Sequence, residues 1–492
     1  MLLLGIDIGT SSIKVSVIDP ETQSAIASAQ YPDSENQILA PQPGWAEQSP
    51  EMWWLQVQQA ILLCNRSGKY DPQDIAAIGI AYQMHGLVLV NSDQQVLRDS
   101  IIWCDSRAVE IGDKAFKAIG EKKCLTHLLN SPGNFTASKL AWVKQNEPEI
   151  YEQVDKVMLP GDFIAMRLTG HVTTSASALS EGIFYDFLDE RLSKDIVKYF
   201  DFDTWFFPLI KPVFSNHGEL LPEIAKKLGL KPGIPVAYKA GDQPNNALSL
   251  NVLNPGEVAA TAGTSGVIYG VSDKLAFDPQ SRVNTFAHVN YSEKQRRLGV
   301  LLCINGTGRL YSWVKSLFGP NSSYAQMNEK AAEATPGSYG LRVLPFGNGV
   351  ERMLNNKPIG AHIQNLDFNI HSKEHLLRAV NEGIACSFRY GLDIMRENGM
   401  APSVIRAGRA NLFLSDLFTE IFVNATGVPV ELYKNDGSVG AALGAGIGAK
   451  IFASPKEAFG KMECIRTVEP SGSKFEPIYQ DWKNLLQKHL NQ

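Results

Sequence analysis

Apolar and polar positions follow the same pattern in two stretches of the chain. Residues 3–18 and residues 258–269 each contain an apolar run, a Gly-Thr-Ser turn and a second apolar or alternating run. Runs of this length and alternation predict β-strands, so each stretch predicts a β-hairpin. The turns begin at Gly9 and Gly263, about half the chain apart. A repeat at this spacing predicts two similar domains, which we place at residues 1–248 and 249–492.

The two turns have the chemistry of a phosphate cradle. Glycine lets the backbone approach a ligand closely, and the backbone N–H groups and hydroxyls beside it can face an anion. The residues concerned are Thr10 and Ser11 in the first turn, and Gly263, Thr264 and Ser265 in the second. Asp7 precedes the first turn, where a phosphate-bound Mg²⁺ would need an oxygen ligand. For either turn alone, the plain alternative is an edge hairpin with a polar turn.

Polar side chains also follow two further predicted strands. Gln83, Met84 and His85 come directly after the apolar run 76–81, and ligands of open α/β sheets gather beyond the carboxyl ends of strands. A lone histidine is more often structural, so both interpretations stay open at this point. Trp103, Asp105 and Arg107 alternate after the run 100–104. An extended segment would place all three on one face, as a ligand wall or as a salt-bridged strand end.

A third strand, at residues 235–241, ends in Ala-Gly and delivers Asp242 and Gln243. A carboxylate within hydrogen-bond reach of a hydroxyl can accept its proton. Asp242 is therefore a candidate general base. It is also a candidate metal ligand beside Asp7, and contact with a metal would leave it less available as a base.

These motifs together resemble one known family. The leading Gly-Ile-Asp-Ile-Gly-Thr-Ser, the central Ala-Gly-Asp and the Ala-Gly-Thr-Ser-Gly that follows are similar to those of the FGGY carbohydrate kinases. The resemblance extends from Leu3 to about Lys450. It implies an α/β fold with two ribonuclease-H-like domains, of the actin, sugar kinase and 70-kDa chaperone superfamily, flanking a catalytic cleft. It also implies that residues 1–248 bind the sugar and residues 249–492 the nucleotide, with ATP and Mg²⁺ as cofactors.

The resemblance assigns roles to single residues. Asp242 matches the family's catalytic base, and the Trp-x-Asp-x-Arg segment matches its sugar-side element. Gln-Met-His-Gly at residues 83–86 resembles the xylulose kinases of the family, which implies phosphorylation of a ketose at its terminal hydroxyl. Gluconate kinases, or other polyol and sugar kinases of the family, remain alternatives.

The chain departs from the family pattern at two places. Gln243 stands where the family often has asparagine. The usual Gly-Gly-Gly adenosine element is missing, so Gly408 and Asn411 are the candidates for adenosine contact.

Composition excludes some partners. The net charge of −5 leaves no basic footprint for nucleic acid, and no apolar stretch approaches the length of a membrane span. Six cysteines without C-x-x-C spacing and a start without a signal peptide predict a cytoplasmic protein. We expect a sugar and ATP as partners and leave a homodimer open. A nucleotide-switched binding protein on the same fold is the alternative from another class.

Overall fold

The computed structural model describes residues 1–318, 322–472 and 475–491. The strands of the first half are β1 (Leu2–Ile8), β2 (Ile13–Asp19), β3 (Ser24–Tyr31), β4 (Glu47–Gln48), β5 (Ile75–Tyr82), β6 (Val88–Val90), β7 (Ser100–Ile101), β8 (Lys156–Met158), β9 (Thr173–Thr174), β10 (Tyr185–Asp186), β11 (Arg191–Leu192), β12 (Leu209–Ile210) and β13 (Val236–Gly241). Its helices are α1 (Pro50–Arg66), α2 (Val109–Ile119), α3 (Glu121–His127), α4 (Thr136–Asn146), α5 (Pro148–Tyr151), α6 (Pro160–Thr169), α7 (Ala176–Glu181), α8 (Lys194–Phe200), α9 (Pro222–Leu228) and α10 (Asp242–Ser249).

The second half continues the alternation of strands and helices. Its strands are β14 (Glu257–Ala262), β15 (Gly266–Ser272), β16 (Asn284–Ala287), β17 (Leu298–Ile304), β18 (Arg342–Phe346), β19 (Gly360–Gln364), β20 (Val404–Gly408), β21 (Val430–Tyr433) and β22 (Cys464–Val468). Its helices are α11 (Thr307–Leu317), α12 (Tyr324–Glu333), α13 (Lys373–Glu397), α14 (Asp416–Thr426), α15 (Gly437–Gly448), α16 (Pro455–Ala458) and α17 (Glu476–Leu490). Short 3₁₀ turns include Arg352–Leu354 and Asn411–Leu414.

Both predicted hairpins are present, and each stands at the centre of a sheet. The first sheet has the order β13-β5-β1-β2-β3, and the second has the order β16-β17-β15-β14-β20-β21-β22. In each sheet the two hairpin strands, β1–β2 and β14–β15, pair antiparallel. The first strand of each hairpin also pairs parallel with a later strand, β5 or β20. That later strand has one further parallel neighbour, β13 or β21. This repeated arrangement confirms the predicted pair of ribonuclease-H-like domains.

Helix α15, from the second half of the chain, packs on the sheet of the first half. Its backbone lies so close to the strands that a Cβ on Gly5 would come within 1.8 Å of the Ser438 carbonyl oxygen. A Cβ on Gly79 would come within 1.9 Å of the Ala441 carbonyl oxygen. Because the helix itself is rich in glycine and alanine, the approach is close on both sides. This glycine- and alanine-rich helix therefore joins the two halves.

The hydrophobic core also joins the halves. One cluster lies within the second half and another within the first, but two further clusters combine side chains from both. In one shared cluster, Phe286 of β16 packs with Met84 and Phe135. The site between the halves is therefore built on a continuous apolar base.

Two details differ from the sequence predictions. Residue 248 lies within helix α10, whereas we expected the domain boundary in an apolar strand region. Strand β7 ends at Ile101, so the following residues form a turn and not an extended segment. The domain limits 1–248 and 249–492 stay a prediction. Within the described ranges, no helix is long and apolar enough to cross a membrane.

The close packing of α15 predicts the effect of a single methyl group. Gly79→Ala should destabilise the protein by about 1–3 kcal/mol or more, because the new Cβ would collide with helix backbone that cannot rotate away. Thermal or urea unfolding measures the loss. The control is Gly460→Ala, whose Cβ would meet its nearest atoms at 3.3 Å on the surface. Equal stability of the two variants would contradict the close approach.

Candidate active site

Three candidate side chains meet at one edge of the first sheet. Asp7 lies near the carboxyl end of β1, Gln83 follows β5, and Asp242 follows β13 as the first residue of α10. Since β1, β5 and β13 run parallel, their carboxyl ends share this edge. This is the position at which α/β sheets bind ligands.

The two carboxylates at this edge both have a raised pKa. Burial, then the charge of Asp7, raises the pKa of Asp242 to about 7, against the backbone N–H of Gln243 that donates to it. Burial, then the charge of Asp436, raises the pKa of Asp7 to about 6, against the opposing effect of Lys14. Both aspartates keep part of their surface accessible. They are therefore crowded by protein atoms but open to a ligand in the cleft.

A cation stands beside these carboxylates. Lys14 of β2 forms an ion pair with Asp436, the N-cap residue of α15, whose Oδ1 accepts from the Ser438 backbone N–H at 3.0 Å. A Cβ on Gly437 would come within 2.2 Å of Asp7 Oδ2. The start of α15 therefore brings the second half of the chain against the acidic edge of the first sheet.

The first Gly-Thr-Ser turn is fixed by a chain of hydrogen bonds. The Thr10 hydroxyl donates to Gln83 Oε1 at 3.0 Å and accepts from Trp103 Nε1 at 3.0 Å. Gln83 Nε2 donates to Gln48 Oε1 at 3.1 Å, and Gln48 Nε2 donates to the Thr10 carbonyl at 2.8 Å. Gln83 is thus buried behind the turn, while Ser11 is exposed. The Trp103 ring is also exposed, at 53%.

His85 is held in a defined tautomer and orientation. Its Nδ1 lies 2.9 Å from the Glu181 carbonyl oxygen, and because a carbonyl only accepts, Nδ1 carries the proton and Nε2 is an acceptor. Burial, then the charge of Lys139, lowers its pKa to about 3, so the ring is neutral. Its left-handed backbone, with φ of 63°, is supported by Lys139 Nζ, which donates to the His85 carbonyl at 2.8 Å.

Aromatic rings from both halves of the chain surround His85. The Phe135 ring centre lies 4.9 Å away edge-on, and the Phe286 ring centre lies 5.5 Å away. Met84 is buried beside Gly241, where a Cβ would come within 2.6 Å of Met84 Cγ. The arrangement is an apolar wall that carries one polar atom, His85 Nε2.

Glu181 lies behind this wall and was not found from the sequence. It is 2% exposed, and its Oε1 has no hydrogen-bond partner among the described residues. Burial, then the charge of Asp242, raises the pKa of its carboxyl well above the ordinary value. Glu181 is therefore a buried carboxyl whose ionised form is disfavoured.

The expected single face of Trp103, Asp105 and Arg107 is wrong, because these residues lie in a turn. Asp105 and Arg107 point into the protein, where they pair at 2.8 Å, and Asp105 Oδ2 accepts from the Ala46 N–H at 2.6 Å. The Arg107 guanidinium stacks on Trp45 at 3.8 Å. The pair supports the turn that carries Trp103 instead of lining the cleft with it.

The candidate nucleotide residues gather at the matching edge of the second sheet. The Gly263 carbonyl accepts from the Gly308 N–H at 2.9 Å, which joins the second turn to the start of α11. Thr264 and Ser265 are exposed at the tip of this turn. Asn411 has its Nδ2 3.4 Å from the Cβ position of Gly263. Gly408 ends β20 and packs against Asn435.

The residues missed by sequence reasoning are mostly distant in the chain from the motifs that they support: Gln48, Phe135, Lys139, Glu181, Phe286, Arg352 and Asp436. For Lys139 and Asp436, the charge of the side chain was the one signal that the sequence offered.

The acidic edge fits a magnesium ion. Within residues 1–318, 322–472 and 475–491, no group of three or more His, Cys, Asp or Glu side chains could hold a metal. Magnesium, however, commonly takes one or two carboxylates and completes its shell with phosphate oxygens and water. Asp7 and Asp242 supply two carboxylates whose ionised forms are disfavoured, Asp242 in part by the charge of Asp7, and this is a donor set that such an ion would stabilise.

The paired sheets, with acidic residues at the edge where the halves meet, define a two-domain α/β protein of the actin, sugar kinase and 70-kDa chaperone superfamily. Models of the N-terminal and C-terminal domains of the FGGY family of carbohydrate kinases match residues 2–249 and 258–449. The chain belongs to the FGGY family of carbohydrate kinases and is a sugar kinase.

Individual relatives agree with this assignment. The xylulose kinase of Escherichia coli is 30% identical over 93% of this chain and 91% of its own. The structure of a xylulose kinase from Rhodospirillum rubrum superposes with a TM-score of 0.90 at 24% identity, covering 100% of both chains. A gluconate kinase structure from Lactobacillus acidophilus gives 0.89 at 22% identity, covering 99% of this chain and 98% of its own. The fold is thus common to kinases of different substrates.

The raised pKa of Glu181 predicts that removing this carboxyl stabilises the protein at high pH but not at low pH. A carboxyl whose pKa is raised by folding stabilises the protein below its unfolded pKa of about 4.3, and that contribution is lost as pH rises through the folded value. Glu181→Gln should therefore melt higher than the parent protein at pH 8 and near the parent at pH 5. Calorimetry at both pH values measures this difference.

The control for this prediction is Glu223→Gln, which changes an exposed glutamate on α9 and should shift neither melt. A Glu181→Gln protein that is less stable at pH 8 would show that the carboxyl is ionised in the folded state.

Proposed function

We propose that the protein transfers the γ-phosphoryl group of ATP to the terminal hydroxyl of a ketose, with xylulose as the substrate. The observation that carries this proposal is the placement of Asp242 at the carboxyl end of β13, beside Asp7 on one side and the Met84–His85 wall on the other. The E. coli relative named a xylulose kinase supports the choice of sugar.

Asp242 is the general base of the proposed reaction. It accepts the proton of the substrate hydroxyl as that oxygen attacks the γ-phosphorus and the bond to the ADP oxygen breaks. A pKa of about 7 suits this task, because a base works best with a pKa near the operating pH. The N–H of Gln243 orients the carboxylate, and the Gln243 side chain is a candidate sugar contact.

Magnesium would be held by Asp7 together with the phosphates, which leaves Asp242 available as the base; direct contact of Asp242 with the metal is the alternative. When bound, it would neutralise charge on the phosphate oxygens. Lys14 adds a positive charge at the same edge, although it is paired with Asp436 in this structure. Ser11 and the backbone of the first turn orient the phosphates, while Thr10 holds that turn in place.

The sugar would lie against the aromatic wall. His85 Nε2 accepts from a sugar hydroxyl, and the exposed ring of Trp103 can cover the C–H face. Gln83 keeps the turn and this wall together, and Asp105 and Arg107 support the segment that carries Trp103. On the other side, we assign Gly263, Thr264, Ser265, Gly408 and Asn411 to the nucleotide.

The proposal extends to organisation and compartment. We assign residues 1–248 to the sugar-binding side and 249–492 to the nucleotide-binding side. The cysteines of the described chain are free thiols, which suits the reducing cytoplasm. A homodimer is the alternative to a monomer.

A panel of substrates tests the proposed function. ADP release should be fastest with xylulose, compared at equal concentration with other ketoses, polyols and aldonates such as gluconate. Activity confined to gluconate would show that the substrate is an aldonate and not a ketose. Release that needs no sugar and does not respond to any would contradict transfer to a sugar.

Removal of the proposed base gives the second test. Asp242→Asn keeps the size of the side chain but cannot take a proton, so kcat should fall by about 10²- to 10⁴-fold while sugar and nucleotide binding stay within a few-fold. Steady-state kinetics and calorimetric titrations measure these quantities. Asp93→Asn, in an exposed loop, is the matched control. Turnover within about tenfold of the parent would remove Asp242 as the base.

A further inference from the structure

One arginine of the second half points toward the apolar wall without forming an ion pair within the described chain. Arg352 begins a short 3₁₀ turn, and its guanidinium carbon lies 5.8 Å from the ring centre of Phe135. Among the residues that the structure describes, its side chain forms neither an ion pair nor a hydrogen bond, and it is half-buried, with burial lowering its pKa. Nothing in the assigned machinery uses this cation.

Three other largely enclosed arginines of the described chain are paired. Arg107 contacts Asp105 and Glu47, Arg98 contacts Glu47 and Glu147, and Arg342 contacts Asp481. Arg352 has no such partner among the described residues, so its accessible donors can meet an acceptor that binds in the cleft.

The backbone that carries Arg352 is firmly anchored. Glu351 Oε1 accepts from the Asn305 N–H at 2.8 Å, and Met353 and Leu354 are buried at 1% and 2% exposure. The side chain therefore projects from a fixed point of the second half toward Phe135 and His85 of the first. It is not a surface arginine that happens to fold inward.

Neighbouring groups locate Arg352 relative to Asp242. The Cys303 thiol is close enough to both charges to respond to them, since Asp242 raises its pKa and Arg352 lowers it. The wall gives their order, because His85 follows Met84 in the chain and its ring centre lies 4.9 Å from that of Phe135. Along the wall, Met84 adjoins Gly241, while Phe135 adjoins Arg352. The two charged groups thus stand at opposite ends of the wall.

Resting on the proposed ketose phosphorylation, we propose that Arg352 binds the end of the sugar remote from the reacting hydroxyl, donating to the oxygens on its first two carbons. Arginine offers only donors, and a ketose presents a carbonyl and a hydroxyl there as acceptors. His85 Nε2 is an acceptor, and it receives a hydrogen bond from a neighbouring hydroxyl of the sugar. Because Arg352 belongs to the second half, the bound sugar joins both halves of the molecule.

Two substrates that share the reacting hydroxyl separate this role from a structural one. Xylulose and 1-deoxyxylulose differ by the first-carbon hydroxyl. Arg352→Gln should lower kcat/KM for xylulose by about 10- to 100-fold, as expected for a lost hydrogen bond to a charged donor. For 1-deoxyxylulose the loss should be smaller by about fivefold or more, because part of the contact is already absent. The KM for ATP should stay within about threefold of the parent value, because the lost charged donor bonds the sugar and not ATP.

Control measurements make the outcome decisive. Arg191→Gln removes an exposed arginine paired with Asp189 and should change neither substrate. Equal losses of Arg352→Gln on both ketoses, or a raised KM for ATP, would overturn the role of Arg352 while leaving the ketose kinase intact. Failure of the parent protein to phosphorylate either ketose would instead overturn the proposed function, and the ketose contact with it.

Discussion

The close packing of helix α15 on the first sheet is the contact on which the rest of the site depends. Gly5 and Gly79 leave room for the helix backbone, and Gly444 and Gly448 do the same from the helix side. Backbone that approaches this closely allows little sliding, since interiors are packed like crystals. The start of the helix is thereby fixed against Asp7. A residue late in the chain, Asp436, can then pair with Lys14 of the first hairpin.

This packing gathers negative charge at one place, and the gathering has a chemical use. Asp7, Asp242 and Glu181 all have a raised pKa, because burial, and then the charge of a neighbouring carboxylate, disfavours each ionised form. Such crowding weakens the folded state at neutral pH. It also leaves two carboxylates, Asp7 and Asp242, whose negative charge is balanced when a cation or a proton binds. Phosphoryl transfer brings both a cation and a proton to the site. Stability and reactivity are therefore opposed at this edge.

The sequence predicted the parts that local pattern determines. Both hairpins and the strand that leads to Asp242 are encoded by apolar spacing and glycine, and the order of the two sheets confirms the repeat. It could not predict that the segment after Ile101 turns, because Trp103, Asp105 and Arg107 alternate as they would in a strand. The deciding contacts, from Arg107 to Trp45 and from Asp105 to Ala46, are tertiary. Glu181 and Phe286 were missed for the same reason, since no motif surrounds them.

The apolar wall at His85 belongs to neither half alone, and in the proposed reaction this would couple binding to chemistry. Phe286 from the second sheet packs against His85 from the first half, and the Thr10 hydroxyl connects Trp103 to Gln83 beneath the first turn. A sugar bound on this wall would therefore contact groups that are hydrogen-bonded to the turn proposed to face the phosphates. Closing the halves around a sugar would exclude water from the attacking position. An enzyme that presents ATP to an open cleft would otherwise transfer the phosphoryl group to water, so a wall shared between halves makes the acceptor itself a part of the completed site.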